Sequence, residues 1–429
     1  MTIIITAVFI ALLLLGTPLY IVLFGGAFLL LKSIGQSELL IALEIQKFQT
    51  NPILSAIPLF VFAGYVLAKS KTPDRIIHLF DQAFAFFPKA GSMVVVIIMA
   101  FFTALTGASG VSILAVGGLM LPLLLKSGRS ERYSLGLITS SGSIGLLFPP
   151  SLPVIMYGIF ASQIVEGSVS IDLLYKAGFL PACLLIAGVL LYGFITKEKR
   201  TEPRESFSLQ RLWKAVKGAR WELPIPVIIY GGIYSGFFTL TEAAIVTATY
   251  VFVMEFFLYR ELSLKTDFLN LARESMALTG SILVIMAGSS GITSWLIDQD
   301  IPIRIFHFIS PFIQDKLVFL GVINIFLLIC GCFLDIFSAI IIVLPILLPL
   351  VEKYGVNPYH FAVIFFVNLE IGYLTPPVGL NLFISSFRFK KSITELYRAS
   401  LPFLIINLIT LAILTYLPQI STFLLNAVR

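Results

Sequence analysis

The sequence predicts an all-α polytopic membrane protein with an inverted-topology repeat, each half containing a re-entrant helical hairpin and a discontinuous helix. Three observations support this fold class. The chain is 58% hydrophobic and only 12% charged, with a mean hydropathy of +0.99, whereas soluble domains are about one-quarter charged. Glycine, proline and hydroxyl residues interrupt long apolar stretches in each half. Several of these residues recur at one fixed offset.

The first half contains two interruptions, at Thr106–Ser112 and Ser140–Ser151, about thirty residues apart. Hydrocarbon cannot satisfy free backbone N–H and C=O groups. Unwound backbone at membrane depth is therefore tolerated only inside protein or beside a polar cavity. The two interruptions predict a binding site near the middle of the bilayer.

The second half repeats these features at an offset of 227 residues. Gly145, Leu147, Pro149, Pro150, Lys126 and Gly128 recur as Gly372, Leu374, Pro376, Pro377, Lys353 and Gly355. Paired glycine- and proline-interrupted segments in matching halves are typical of secondary-transporter binding sites.

A bilayer core of about 30 Å needs roughly 20 apolar residues per helix, which sets the expected spans. The first half is expected to contain spans at Thr2–Leu15, Leu19–Leu31 and Ile53–Ala68, a surface helix at Pro73–Phe87, a hairpin with limbs Gly91–Leu105 and Val111–Leu125, a discontinuous helix at Tyr133–Ala161 and a span at Leu173–Ile195. The first two spans could instead form one kinked helix, but the repeat favours two.

The second half follows the same order after a basic polar loop. We expect spans at Pro224–Gly236, Thr241–Leu258 and Leu278–Ile297, a surface helix at Pro302–Ile313, a hairpin at Leu317–Val351, a discontinuous helix at Phe361–Phe387 and a last span at Leu401–Leu417. The predicted division is a scaffold at 1–87 and 222–314, a transport domain at 88–197 and 315–429, and an inter-repeat loop at 198–221.

The predicted topology places 22 of the 29 Lys and Arg residues on one side of the membrane, in loops at 69–89, 126–132, 197–220, 260–273 and 388–398. The positive-inside rule assigns that side to the cytoplasm. The net charge of +6 is therefore explained by the basic loops on the cytoplasmic side. The protein is expected to contact the lipid bilayer and to have no nucleic-acid partner. Because each repeat has an odd number of crossings, the two hairpins are expected to enter from opposite faces.

The interruptions supply hard oxygen ligands, which suit Na⁺. Predicted metal ligands in the first half are Thr106, Gly107, Ser109, Ser140, Gly142, Ser143, Gly145 and Pro149, and those in the second half are Gly331, Asp335, Ser338, Thr375, Pro376 and Gly379. Small residues at helix-packing surfaces are the alternative. Asp335 could bind a cation or simply cap the following helix.

The half-helix N-termini would point positive dipole ends into the cavity and favour an anionic substrate. The predicted substrate cavity contains Ser112, Ser141, Pro150, Asn368, Glu370 and Asn381. Glu370 could line the cavity or pair with a polar group on the scaffold. The sequence contains no HExxH or GxSxG motif, so an enzyme is not expected.

As a set, the tip Thr106–Ser109, the break from Gly145 to Ser151, the tip Gly331–Asp335 and the segment Asn368–Gly379 resemble the large membrane subunit of tripartite ATP-independent periplasmic (TRAP) transporters. The resemblance extends over essentially the whole chain. It implies an elevator-type, ion-transporter-like mechanism with two Na⁺ sites, in the bacterial inner membrane. The sequence departs from many relatives at Ala108, where they have a second serine, which leaves backbone oxygens as the main ligands there.

The resemblance also implies two protein partners, a small four-helix membrane subunit on a separate chain and a periplasmic substrate-binding protein. The implied substrate is a small organic acid such as a C4-dicarboxylate, sialic acid or a similar carboxylate. A stand-alone ion-coupled anion transporter or channel of related fold is the alternative.

Overall fold

The computed structural model describes residues 19–35, 52–87, 90–164, 169–196 and 207–426, with isolated positions before residue 52. Every regular element in these ranges is helical. Apart from Leu12, the predicted first span Thr2–Leu15 lies outside the described residues, as do the domain junctions predicted at residues 88 and 197.

The first half forms nine helices within the described ranges. They are α1 Leu19–Ser33, α2 Ala56–Lys69, α3 Thr72–Ala83, α4 Ala90–Thr106, α5 Ser109–Ala115, α6 Gly117–Lys126, α7 Glu131–Ser141, α8 Leu152–Ile164 and α9 Ile171–Ile195. A 3-10 turn at Pro52–Ser55 precedes α2, and another at Ile144–Leu147 lies in the break between α7 and α8.

The remaining described residues form twelve helices. They are α10 Leu209–Gly218, α11 Pro224–Tyr234, α12 Leu240–Leu258, α13 Phe268–Asp298, α14 Ile301–Ile309, α15 Lys316–Phe333, α16 Ile336–Ile342, α17 Leu344–Lys353, α18 Pro358–Gly372, α19 Leu380–Phe389, α20 Ile393–Tyr416 and α21 Gln419–Asn426. Short π-helical turns occur at Val227–Gly231 in α11 and Met254–Leu258 in α12.

Length and composition support the polytopic prediction. Five described helices are long and apolar enough to cross a membrane, or up to nine if each bent pair counts as one span. The chain bends by 57° between α5 and α6 and by 60° between α16 and α17. The boundaries of these two pairs are separated by the same 227 residues that relate the sequence motifs.

The structure corrects several predicted boundaries. The segment 198–221, predicted as a loop, contains α10, while α13 begins at Phe268 and α20 at Ile393, ten and eight residues before the predicted spans. The Ser392 hydroxyl accepts a hydrogen bond from the Glu395 amide and caps α20 at this earlier point. Hydropathy identifies the apolar part of a helix and misses such polar first turns.

Loops predicted to share one side of the membrane contact one another. Arg75 on α3 forms ion pairs with Glu222 and Glu261, which flank the α11–α12 segment. In a separate contact, Lys391 lies 2.9 Å from Glu131. Both sets of contacts agree with the topology predicted from the charges.

The hairpins and broken helices of the two halves interlock. Helix α8 packs against α16 and α17, while α19 packs against α5. The second part of each broken helix therefore covers the hairpin of the other half. Outside this bundle, α1 packs on α13 and α2 packs on α12.

Candidate functional site

The first hairpin tip is a sharp turn between α4 and α5. Gly107 has a φ of +66°, a left-handed conformation that glycine adopts without steric cost. Ala108 occupies the N-cap position of α5 and has no side-chain acceptor for the free amides. The Thr106 and Ser112 hydroxyl oxygens lie 3.3 Å apart, so two hydroxyls meet beside uncapped backbone.

The first tip packs against the break in the α7–α8 helix. The Thr103 hydroxyl donates a 2.8 Å hydrogen bond to the Gly142 carbonyl. A Cβ at Gly145 would lie 2.1 Å from the Ala100 carbonyl oxygen. Glycine at this position therefore allows backbone to approach backbone, and the tip and the break form one continuous surface.

The serine hydroxyls of this first site differ in their hydrogen bonding. Ser140 donates to the Leu137 carbonyl at 3.1 Å, although its oxygen can still accept or coordinate. Ser141 and Ser151 are buried, and their hydroxyls have no hydrogen-bond partner among the described residues. Because buried polar groups normally have partners, these two hydroxyls are exceptions within the described part of the chain.

Asp335 caps the second hairpin tip. One carboxylate oxygen accepts from the Phe337 and Ser338 amides at 2.8 and 2.9 Å, and the other accepts from the Ser338 hydroxyl at 2.7 Å. The capping interpretation is therefore realised in the structure. The side chain is also exposed, so its unused lone pairs remain accessible to a cation.

The second tip packs against the second break as closely as the first tip packs against the first. A Cβ at Gly372 would lie 2.3 Å from the carbonyl carbon of Gly331. The Ile336 amide donates to the Tyr373 hydroxyl at 2.6 Å. Gly379 has a φ of +59° and precedes α19, so a left-handed residue redirects the chain after Pro376 and Pro377.

Three of the predicted substrate-cavity residues, Asn381, Asn368 and Glu370, differ in their contacts. Asn381 joins the two halves, since its amide donates to the Thr139 carbonyl at 3.3 Å while its own Oδ1 has no partner among the described residues. Asn368 instead faces α15 and donates to Asn324 at 2.6 Å. Glu370 is buried, with an unpartnered Oε1 in the described part of the chain.

Burial distinguishes the two sites. The predicted ligands of the first site are buried, and so are Pro149 and Pro150. At the second site Asp335, Pro376 and Pro377 are exposed, and Thr375 is partly buried. The second site is thus the more accessible of the two.

Sequence reasoning missed Thr103, Tyr373 and Gly64. Thr103 lies one helical turn before Thr106, and Tyr373 directly follows the repeated Gly372, so both carried a positional signal. Gly64 carried none, since only the structure shows that a Cβ there would lie 2.8 Å from the Leu105 carbonyl oxygen.

A cavity of about 330 Å³ lies between α3, α4, α9 and α11, and Phe148 of the first break also lines it. Its lining is largely apolar, and its two polar side chains are Tyr230 and Glu222, whose carboxylate pairs with Arg75. No Lys or Arg is among its described lining residues, so this cavity offers an anionic substrate little electrostatic attraction.

Comparison with known proteins identifies the same family as the sequence motifs. The family model described as "Tripartite ATP-independent periplasmic transporter, DctM component" matches residues 6–420. A C4-dicarboxylate TRAP transporter large permease protein of Rhodobacter capsulatus is 33% identical over 89% of this chain and 88% of its own length. The relatives are named as transport permeases, which confirms the non-enzymatic interpretation.

A second relative is an isethionate TRAP transporter permease protein of Oleidesulfovibrio alaskensis, 34% identical over 87% of this chain. The match spans 58% of that longer protein. Among solved structures, the YdaH transporter of Alcanivorax borkumensis superimposes with a TM-score of 0.55 and 14% identity, covering 86% of this chain and 88% of that chain. At this identity the likeness supports the fold alone.

Proposed function

Because the chain belongs to the DctM component family of tripartite ATP-independent periplasmic transporters, we propose that it is the membrane permease of a Na⁺-coupled importer of small organic anions. The observation that carries this proposal is the pair of interlocked hairpin tips, each packed through glycine against a broken helix. This arrangement concentrates hydroxyls, carbonyls and helix N-termini in one region of an otherwise apolar chain.

The proposed first Na⁺ site comprises Thr106, Ser109, Ser140 and Ser143 with backbone oxygens of the neighbouring glycines. The second comprises Asp335, Ser338 and Thr375 with backbone oxygens at Gly331 and Gly379. Bound Na⁺ would supply positive charge beside the substrate cavity. Exposed Asp335 supports cation binding at the second site, and the orphaned Ser141 hydroxyl supports a ligand beside the first.

The proposed substrate is a small carboxylate or sulfonate. Relatives are named for C4-dicarboxylate and for isethionate, which are both small organic anions. The N-terminus of α5, which Ala108 leaves without a side-chain cap, would favour such a group electrostatically. Asn381, located between the halves with a free Oδ1, would hydrogen-bond a substrate hydroxyl or water.

The proposed movement is an elevator in which the interlocked bundle slides against the α1–α2 and α12–α13 scaffold in the bacterial inner membrane. The bundle contains packed contacts between both halves, so it would move as a unit. The proposed partners are a small four-helix membrane subunit and a periplasmic binding protein that delivers the substrate. The name DctMQ of the isethionate relative suggests a fused permease of that kind.

Uptake by proteoliposomes tests this proposal. The chain would be reconstituted with its small subunit and binding protein, and anion uptake would be compared under inward Na⁺ and K⁺ gradients of equal size. Uptake should require Na⁺ and should be negligible without the two partners. Equal uptake in K⁺ would refute the coupling, and full activity of the chain alone would refute the partner requirement.

A further inference from the structure

Helix α10 presents an exposed face that the proposed transport cycle does not use. Leu209, Trp213 and Lys217 of α10 are exposed at spacings of four residues, and exposed Arg220 follows two residues after the helix ends. These spacings place side chains on one face of an α-helix. The Lys217 ammonium lies 5.6 Å from the centre of the Trp213 ring, which confirms that two of them are neighbours.

The adjacent face of α10 is already occupied. Leu212, Ala215, Val216 and Ala219 pack with Leu79 of α3 in one apolar cluster. The helix is therefore fixed on α3, and the exposed row is a second apolar and basic surface beside the packed one. Arg211 and Lys214 lie on the opposite flank and are also exposed.

Exposed aromatic residues extend this surface beyond the N-terminus of α10. Phe86, which follows α3, contacts Phe207 edge-to-face with ring centroids 5.8 Å apart. Both rings remain substantially exposed, at 58% and 44%. Phe86, Phe207, Leu209, Trp213, Lys217 and Arg220 together are called the anchor face.

The anchor face also leads directly into α11, a short apolar helix that the sequence predicts as a span. The next exposed apolar side chains along the chain are Leu223 and Val227, at the start of α11. Apolar and aromatic side chains beside Lys and Arg, at the end of a membrane helix, match the headgroup region of a bilayer. The two cations complement the negative surface of a cytoplasmic leaflet.

We propose that the anchor face binds anionic phospholipid headgroups at the membrane surface and thereby holds α3 in place through α10. Trp213, Leu209 and the phenylalanines insert among the upper acyl chains, while Lys217 and Arg220 contact lipid phosphates. The surface fits lipid better than a soluble protein because it continues the apolar surface of α11.

Tryptophan fluorescence tests the proposal without any transport measurement. The chain contains three tryptophans, so Trp221→Phe with Trp295→Phe leaves Trp213 as the sole emitter. The full chain with a tryptophan-free variant of its small subunit is reconstituted in mixed vesicles with bromine on the acyl chains of either the phosphatidylglycerol or the phosphatidylcholine. Brominated phosphatidylglycerol should quench Trp213 more strongly, and high salt should reduce the difference.

Charge variants in this background identify the responsible face. Lys217→Gln with Arg220→Gln should lower the local preference for phosphatidylglycerol by about fivefold per basic side chain. The matched control, Arg211→Gln with Lys214→Gln, removes two charges from the opposite flank and should retain the preference. Monodisperse elution of both proteins verifies folding.

Three outcomes would overturn the proposal. Quenching by aqueous iodide and by neither lipid would show that the face meets water. Equal quenching by both lipids would show apolar insertion without headgroup recognition. An equal loss of preference in the control would assign it to overall charge. Each readout is independent of uptake, so it distinguishes failure here from failure of the proposed function.

Discussion

The two hairpin tips share a backbone design but differ in accessibility and charge. Both pack through glycine on a broken helix, at Gly145 and Gly372. The first tip is buried and has Ala108 at the N-cap of its second limb, whereas the second tip is exposed and has Asp335 at the matching position. Backbone packing therefore sets the shared framework, and the side chains give each tip its own chemistry.

The scaffold accounts for part of this difference. Helix α2 approaches the first tip so closely that a Cβ at Gly64 would lie 2.8 Å from the Leu105 carbonyl oxygen and 3.0 Å from Thr106 Cα. The second tip has Phe333, Asp335 and Pro376 exposed. The first tip is thus closed by the scaffold while the second is open.

The largest effect is expected from a substitution that forces a bulky side chain between α2 and the closed first tip. Gly64→Leu places a side chain against backbone atoms that cannot rotate away, and overpacking of this kind costs about 1–3 kcal/mol. In the proposed mechanism, transport passes through the arrangement in which α2 closes the first tip. Destabilising that arrangement by this amount should lower uptake by about 5- to 150-fold. Reconstituted uptake normalised to folded protein measures the loss.

Gly280→Leu is the matched control for this substitution. Gly280 lies in α13, and a Cβ there would meet no atom within 4 Å. Comparable uptake by the two variants would show that contact between α2 and the first tip is unimportant for transport.

A second pair of substitutions asks whether the tips pack equally well despite their different exposure. Gly145→Ala and Gly372→Ala each force a methyl group into backbone, at 2.1 Å from the Ala100 oxygen and 2.3 Å from the Gly331 carbon. Both should lower the thermal unfolding midpoint by similar amounts, equivalent to about 1–3 kcal/mol. If only Gly145→Ala lowered the unfolding midpoint, the exposed second tip would be able to accommodate the added methyl group and would be the less tightly packed of the two.

The sequence predicted the shared framework better than the difference between the tips. Breaks at fixed offset follow from local chemistry, because glycine and proline interrupt helices wherever they occur. Burial depends on which distant helix lies above a tip, so neither the closure by Gly64 nor the exposure of Pro376 was predictable. The early start of α20 depends on the Ser392 cap, and α10 lies in a segment that hydropathy reads as a loop.

Asp335 provides a more selective test, because its two variants separate stability from Na⁺ affinity. Asn caps helices about as well as Asp, whereas Ala costs about 0.5–2 kcal/mol. Asp335→Ala should therefore lose stability and Na⁺ affinity together. Asp335→Asn should keep its stability and lose Na⁺ affinity by about 5- to 150-fold, the equivalent of a lost contact of 1–3 kcal/mol. Na⁺-dependent uptake and thermal unfolding separate these effects.

Asp315→Asn is the matched control for Asp335→Asn. Asp315 caps α15 by accepting from the Leu317 and Val318 amides at 2.6 and 3.1 Å, away from the tip. Its variant should leave the Na⁺ dependence unchanged. If Asp335→Asn also left the Na⁺ dependence unchanged, Asp335 would act only as a helix cap and would not bind Na⁺.

The smallest expected effect concerns Ser141 in the buried site. Its hydroxyl has no partner among the described residues, so Ser141→Ala removes no protein hydrogen bond and should leave the stability of the ligand-free protein unchanged or slightly higher. If the hydroxyl contacts an ion or the substrate, affinity should fall by about fivefold, the equivalent of a net hydrogen bond of about 1 kcal/mol.

Ser134→Ala on the same helix is the control, because that hydroxyl donates to the Ser130 carbonyl at 2.9 Å and should affect stability without affecting affinity. Ligand-induced shifts of the unfolding midpoint measure both quantities in one experiment. Identical ligand-induced shifts for wild type and Ser141→Ala would mean that the orphaned hydroxyl contacts no ligand, and the buried tip would then bind through backbone oxygens and its other hydroxyls.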